Sequence, residues 1–194
     1  MDRDLHQQIA FMMETDKLKR IIRRNYNADG SRLENTAEHS WQITLMALTL
    51  SEHAEESIDI TKVIKMLLIH DLVEIDAGDT YLYGEFDLEE RDTKEQQAAE
   101  RIFGLLPEYQ QTDFMKLWQE FEAIETPEAR FAKAIDRLMP ILNNYHSGGR
   151  SWKENNISRE QVLDKCSGIQ HGSEKLWAYA QKLIDQAKEK GYLK

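Results

Sequence analysis

Between Ile69 and Thr80 the chain reads Ile-His-Asp-Leu-Val-Glu-Ile-Asp-Ala-Gly-Asp-Thr, and ionisable groups interrupt what helical spacing marks as a buried face. Counting back from Glu74 by helical steps reaches His70 or Asp71, then Leu67, Val63 and Ile60, so an imidazole and two carboxylates continue an apolar stripe. Burying such groups costs several kcal/mol each unless they are paired or bound to a metal. Any fold this chain adopts must therefore bring a compensating partner to that stripe.

At 194 residues, with 41% hydrophobic and 31% charged residues, the chain is long enough for one domain with a sizeable core. Only 3 Pro and 9 Gly punctuate it, which favours long helices. A net charge of −10 argues against non-specific binding to nucleic acid or to an anionic membrane surface, because phosphate neutralisation needs clustered cations. The single Cys166 excludes an internal disulfide framework and a thiolate metal site, in keeping with a reducing compartment. Residues 1–9 have no apolar signal-type core, and no stretch approaches about 18 uninterrupted apolar residues, so a cytoplasmic protein with no membrane partner is expected.

Residues 4–22 place Leu5, Ile9, Met12, Met13, Leu18, Ile21 and Ile22 at mostly helical spacing and predict an amphipathic first helix. Arg20, Arg23 and Arg24 close it, where cations complement the helix dipole in solvent and where one of them could instead hold an anion. Residues 25–34, with Asp29-Gly30, read as a loop. Asn35 followed three positions later by Glu38 is a capping-box pattern that starts a second helix running to about residue 54. His39 lies in its first turn on a line with Ile43, Met46 and Leu50, and so faces the core. A third helix starts at Asp59 or Thr61 and ends near residues 76–78, where Gly78 supplies the stop. The stretch 78–92, with Tyr81, Leu82, Tyr83 and Phe86, reads as an irregular loop, either a lid or pocket wall or a plain surface connection.

Further helices are predicted from about 93 to 106, from about 108 to 123 with Phe114, Leu117, Trp118 and Phe121 as core, and from the strong start Thr126-Pro127-Glu128. Asp136 lies beside the inward stripe Phe131, Ile135 and Leu138 of this last helix, and Pro140 is expected to kink or end it a turn later. Residues 143–157 read as a polar connection, followed by two helices opened by Ser158, with Gln161 in capping-box position, and by Ser173. No alternating strand pattern, internal repeat, P-loop or nucleophile elbow stands out.

The inward ionisable groups are His39, His70, Asp71 and Asp136, from three separate helices, with Glu74 one turn beyond His70. His39 alone would read as an ordinary core histidine. Together, two imidazoles and two carboxylates suit one divalent transition metal, with Mn, Co, Fe, Ni and Zn all compatible, and leave coordination sites for water. Such an ion neutralises its own carboxylates, whereas an ion-pair network would need inward cations that these stripes do not obviously provide. Asp76 turns away from the line and reads as a solvated helix-end residue. His53, His146 and His171 look surface or loop borne, so no second metal is expected.

A His, then an adjacent His-Asp pair, then a distant Asp, here Glu38-His39-Ser40, His70-Asp71 and Ile135-Asp136-Arg137, resembles the HD superfamily of metal-dependent phosphohydrolases. Residues 18–23, Glu34-Asn35-Thr36-Ala37-Glu38-His39-Ser40, His70-Asp71-Leu72-Val73-Glu74, Gly78-Asp79-Thr80 and Lys133-Ala134-Ile135-Asp136 are similar to the 5′-deoxynucleotidases of that superfamily and their eukaryotic HD-domain-containing relatives. The resemblance implies an all-α, single-domain helical bundle over residues 1–194, with a metal-site core at about 18–140 and C-terminal helices at about 158–190. It makes His39, His70, Asp71 and Asp136 metal ligands. Glu74 would orient or deprotonate the attacking water, and Asp79 would contact the nucleotide or assist the leaving 5′-oxygen. Arg23 matches the phosphate-binding arginine, with Arg24 as the fallback, and Thr80 falls among the substrate contacts. Where the family often has Trp soon after this arginine, the chain has Asn25-Tyr26.

The activity implied is hydrolysis of (deoxy)nucleoside 5′-monophosphates, small-molecule phosphate esters, to nucleoside and phosphate, by a homodimer. The alternatives are an HD-type hydrolase acting on a nucleoside triphosphate, a cyclic nucleotide or a non-nucleotide ester, and a non-catalytic nucleotide-binding helical module.

Overall fold

A computed structural model describes residues 2–84 and 87–194; Glu85 and Phe86, the latter among the loop aromatics noted above, lie outside the described residues. The chain opens with α1 (Arg3–Thr15), capped by the Asp2 carboxylate, and tightens into a 3₁₀ turn over Asp16–Arg20. The expected first helix therefore stops short of Arg23. A hairpin follows, β1 (Ile22–Tyr26) antiparallel to β2 (Leu33–Asn35), where a loop was expected. In β1 the inward positions are Arg23 and Asn25 while Ile22 and Arg24 are exposed, so the strand alternates with polar residues inward and carries no hydrophobic period. Asp29-Gly30 does form the turn, with Gly30 at φ +69°.

Asn35 then caps α2 (Thr36–Leu50) through the anticipated capping box with Glu38. Asp59 caps α3 (Ile60–Ile69), whose Val63, Met66 and Leu67 are fully buried. The helix does not run through to Gly78 as its periodicity suggests. His70–Val73 wind as 3₁₀, and α4 (Glu74–Ala77) resumes before Gly78 ends it at φ +79°, a conformation glycine adopts without strain. In 3₁₀ winding residues three apart eclipse, so Asp71 and Glu74 come to the same side.

Next come α5 (Leu88–Phe103), α6 (Glu108–Ala123) and α7 (Pro127–His146). The first starts five residues earlier than the hydrophobic pattern implies, because the Asp87 carboxylate accepts from the Glu89 and Glu90 N–H groups ahead of any apolar stripe. The helix α7 passes straight through Pro140, which has no N–H to give the Asp136 carbonyl, and continues to His146. Asn143 and Asn144, read from sequence as loop, are buried on its last turns. After Gly148 and Gly149, both at positive φ, the supposed connection holds α8 (Arg150–Glu154) with the buried Trp152. The chain closes with α9 (Arg159–Cys166), α10 (Ile169–Gly172) and α11 (Glu174–Glu189), capped by Ser158 and Ser173 as expected for the first and last of these.

Helices α2, α3 and α7 pack on one another and on α10 and α11 around Ile43, Leu67, Phe131 and Ile135, while α1, α5 and α6 enclose a second cluster around Phe103 and Trp118. No helix among the described residues is long and apolar enough to cross a membrane. Helices α10 and α7 approach closely at Gly172, where a Cβ would stand 2.4 Å from the Arg130 carbonyl oxygen and 2.7 Å from the Ala134 Cβ. Gly172→Ala should therefore push α10 off α7 and cost about 1–3 kcal/mol, read as a lower midpoint in urea at unchanged m-value.

Candidate metal centre

His39 is placed by the capping box that starts α2 and is fully buried, with Nε2 3.1 Å from Asp136 Oδ1 on α7. The His70 ring is held from behind. Its Nδ1 lies 3.0 Å from the Leu67 carbonyl, which accepts the Nδ1–H and leaves Nε2 facing inward, and the Phe121 ring packs 4.8 Å away, centroid to centroid. That buried Nε2 has no directed hydrogen-bond partner among the described residues, although Asp71 Oδ1 is 3.0 Å and Asp136 Oδ1 3.7 Å away. Ligand atoms of His39, His70 and Asp136 all lie within 4.8 Å of one another, a cluster that could hold a metal ion. Asp71 stands at its edge: Oδ1 faces His70, while Oδ2 accepts from Arg23 Nη1 at 2.9 Å.

The charges in this cluster ask for a cation. Burial works to lower the pKa of His70, yet the carboxylates of Asp71 and Asp136 outweigh it and raise the imidazole to about 10. Burial would raise Asp71, but His70 and Arg23 hold it down to about 2, and His39 and His70 likewise keep Asp136 ionised against its own burial. Two carboxylates that retain a proton on a buried imidazole offer that place to a divalent ion. The donor set, mixed imidazole and carboxylate, is the one transition metals accept.

Beside the cluster opens a cleft lined by Arg23, Glu74, Asp79, Thr80, Lys133 and the Tyr81–Tyr83 segment, so the stretch after Gly78 is a pocket wall. The hairpin directs Arg23 into this cleft, with Nη1 3.7 Å from Glu74 and 3.6 Å from Asp79. It is an inward cation supplied from a strand, facing Lys133 and Arg137 of α7, which line the same cleft. Arg24, one residue on, is exposed at the cleft mouth. Glu74 is buried, and its Oε2 accepts from the Thr36 hydroxyl at 2.8 Å. Burial pushes the Glu74 carboxyl well above the usual range and the neighbouring Asp71 adds to it; burial raises Asp79 too, against the pull of Arg23. Asp76 does turn away, but it is ion-paired with Arg101, which also reaches Glu14 on α1 at 2.8 Å.

Three residues around the site carried no role in the sequence reading. Glu34, at 1% exposure, lies behind His39 and Arg23, Thr36 braces Glu74, and Asn144 donates to the Asn25 side chain at 2.9 Å to hold β1 against α7. Glu34 and Thr36 flank the N-cap residue Asn35, and their nearness to His39 in the chain was the available signal.

The chain is similar to several known proteins. A crystal structure of a predicted metal-dependent phosphohydrolase from Magnetospirillum magnetotacticum superposes with a TM-score of 0.94 at 48% identity, covering 98% of this chain and 95% of that one. A conserved hypothetical protein from Pyrococcus furiosus shares the fold, with a TM-score of 0.64 at 23% identity over 93% of this chain and 99% of that one. Among curated relatives, the 5′-deoxynucleotidase HDDC2 of Dictyostelium discoideum is 29% identical over 170 residues, 84% of this chain and 90% of that relative. The human 5′-deoxynucleotidase HDDC2 is 27% identical over 135 residues, 69% of this chain, and the match spans 65% of that relative's own length, just under two thirds. The model of the HD domain matches residues 15–177, which take in the hairpin, the imidazole pair and Asp136, and the chain belongs to the HD domain family.

Proposed function

We propose that this protein is a metal-dependent phosphomonoesterase that hydrolyses (deoxy)nucleoside 5′-monophosphates to nucleoside and phosphate. The observation that carries the reading is the convergence, in one cleft, of the His39, His70 and Asp136 cluster with an inward arginine and a buried carboxylate of raised pKa. His39, His70, Asp71 and Asp136 would hold one divalent ion of Mn, Co, Fe, Ni or Zn. Bound there, the ion supplies charge at a phosphate oxygen and a lowered pKa for water.

Arg23 binds the phosphate with its fixed fork, a geometry lysine lacks. Glu74 takes the proton of the attacking water; its raised pKa makes it a stronger base than an exposed glutamate, and the Thr36 hydroxyl keeps it oriented. The water oxygen joins phosphorus as the bond from phosphorus to the 5′-oxygen breaks, and Asp79, raised by burial, is placed to return a proton to that oxygen. Thr80 and the tyrosine segment line the side where the nucleoside would lie.

The homodimer is part of the same proposal. Trp41, Leu45 and Leu48, at i, i+4 and i+7 on α2, are 64%, 48% and 53% exposed, and Leu68 on α3 is 50% exposed. A stripe of this kind at helical spacing suits the two-fold contact of a second copy. Trp41→Glu should convert a dimer into a monomer in light scattering after size exclusion.

Over a panel of monophosphates, the metal-loaded protein should release orthophosphate above a His70→Ala control, and Glu74→Gln should lower kcat by roughly 10²–10⁴-fold. Arg23→Lys should act mainly on KM. Release of pyrophosphate or triphosphate from nucleoside triphosphates would favour the other HD activity, and nucleotide binding without turnover would favour a binding module.

The base must be ionised, so the rate falls on the acid side as pH drops through the raised pKa of Glu74. The Thr36 hydroxyl favours the ionised form. Thr36→Val should therefore move the acid limb of the kcat/KM profile to higher pH, while an unmoved limb would separate Glu74 from that titration.

A further inference from the structure

Behind the cleft, three buried polar atoms without hydrogen-bond partners meet: Nδ1 of His39, Oε2 of Glu34 and Nε of Arg23. Glu34 Oε2 stands 3.3 Å from the imidazole nitrogen and 3.6 Å from the guanidinium nitrogen, while its Oε1 accepts from the Asn143 side-chain amide at 3.2 Å. Glu34 does not line the cleft and is 1% exposed, so it reaches neither solvent nor substrate. A carboxylate buried this deeply is costly unless it is hydrogen-bonded. Here the missing partners are mutually complementary, one acceptor oxygen between two nitrogens that can each present N–H.

With Asp136 Oδ1 at 3.1 Å, Nε2 of His39 is paired toward α7 and the Nδ1 side is left over. A neutral imidazole that turns an Nε2 lone pair toward a metal carries its proton on Nδ1, and Glu34 Oε2, 3.3 Å from that nitrogen, is the carboxylate oxygen a small turn of the ring would bring into line with it. The same oxygen stands 3.6 Å from Arg23 Nε, an ion-pair contact just beyond hydrogen-bond distance. Asn143, on α7, holds the other oxygen and so fixes the carboxylate plane.

We infer that Glu34 is a positioning residue that joins the two halves of the site: through Oε2 it sets the His39 ring that faces the metal and the Arg23 fork that faces the phosphate. The inference rests on the reading of His39 as a metal ligand and of Arg23 as the phosphate ligand. Glu34→Gln keeps the shape but not the chemistry. With Asn143 presenting its NH₂ as it does to Glu34, an NH₂ group at residue 34 faces either that donor or the His39 and Arg23 donors.

The test measures two affinities on the full chain, neither of which is turnover. Co²⁺ affinity is read by competition with a chelator, and inorganic phosphate affinity by calorimetry on metal-saturated protein. Glu34→Gln should weaken Co²⁺ binding roughly 10- to 100-fold and weaken orthophosphate severalfold, with the metal-free protein folded and its thermal midpoint not lowered. In the metal-loaded wild type, ring ¹⁵N spectra should show His39 protonated at Nδ1. A destabilised protein with both affinities unchanged would overturn the inference, as would a His39 proton on Nε2 in the loaded protein.

If Glu34→Gln fails to fold, Asn143→Ala decides, since it keeps the carboxylate and frees only Oε1. It should give smaller losses in the same two affinities, and unaltered affinities would again overturn the inference. His39→Ala and Arg23→Ala separate the two levels. If these leave metal and orthophosphate binding intact, the reading of the site fails; if they abolish binding and Glu34→Gln does not alter it, only the role of Glu34 fails.

Discussion

The Arg23 guanidinium stands between 2.9 and 3.7 Å from the carboxylates of Glu34, Asp71, Glu74 and Asp79, and a fifth carboxylate, Asp136, faces the two imidazoles. Buried anions thus outnumber the permanent cation among them. Burial disfavours the Arg23 charge, and the surrounding carboxylates more than reverse that, raising its pKa. The remaining imbalance is met by protons on the imidazoles or by a divalent ion, and much of the architecture serves to hold these groups in place while they are desolvated.

That requirement explains the irregular parts of an otherwise helical fold. A two-stranded hairpin interrupts the helices and carries Arg23 into the cleft, and the Asn25–Asn144 contact ties it to α7. The α3 helix tightens at His70 into 3₁₀ winding, which brings Asp71 and Glu74, already neighbours at three residues' spacing, closer to eclipse. Pro140 sits one turn beyond Asp136 without breaking the helix, whose far end carries the buried asparagines. Polar residues at these places act as internal fastenings.

Within this frame, two carboxylates three residues apart acquire opposite characters. Burial would raise both, but Asp71 has His70 and Arg23 at hydrogen-bonding distance and falls to about 2, while Glu74 has Arg23 only at 3.7 Å and Asp71 as a like-charged neighbour, and rises. Environments that push two acids apart in this way suit them to different roles. Asp79, past Gly78 on the pocket wall, is raised as well and completes the set.

Sequence alone determined the helical class, the caps at Asn35, Thr126, Ser158 and Ser173, and the inward placing of His39, His70 and Asp136, because capping chemistry and the 3.6-residue period are local properties; at α3 it left Asp59 and Thr61 both open as the start. The family resemblance placed Arg23 among the site residues, but that it sits on a strand was not legible, since β1 buries an arginine and an asparagine and has no apolar alternation to read. The early start of α5 and the buried Asn143 and Asn144 escaped for the same reason: their stabilisation comes from polar contacts that local composition also assigns to loops. Only tertiary structure decided that Asp71 divides its oxygens between His70 and Arg23, that Thr36 braces Glu74, and that Glu34 lies between His39 and Arg23. Those are choices of partner among groups far apart in the chain, and desolvation in a shared interior, which no local pattern encodes, is what sets them.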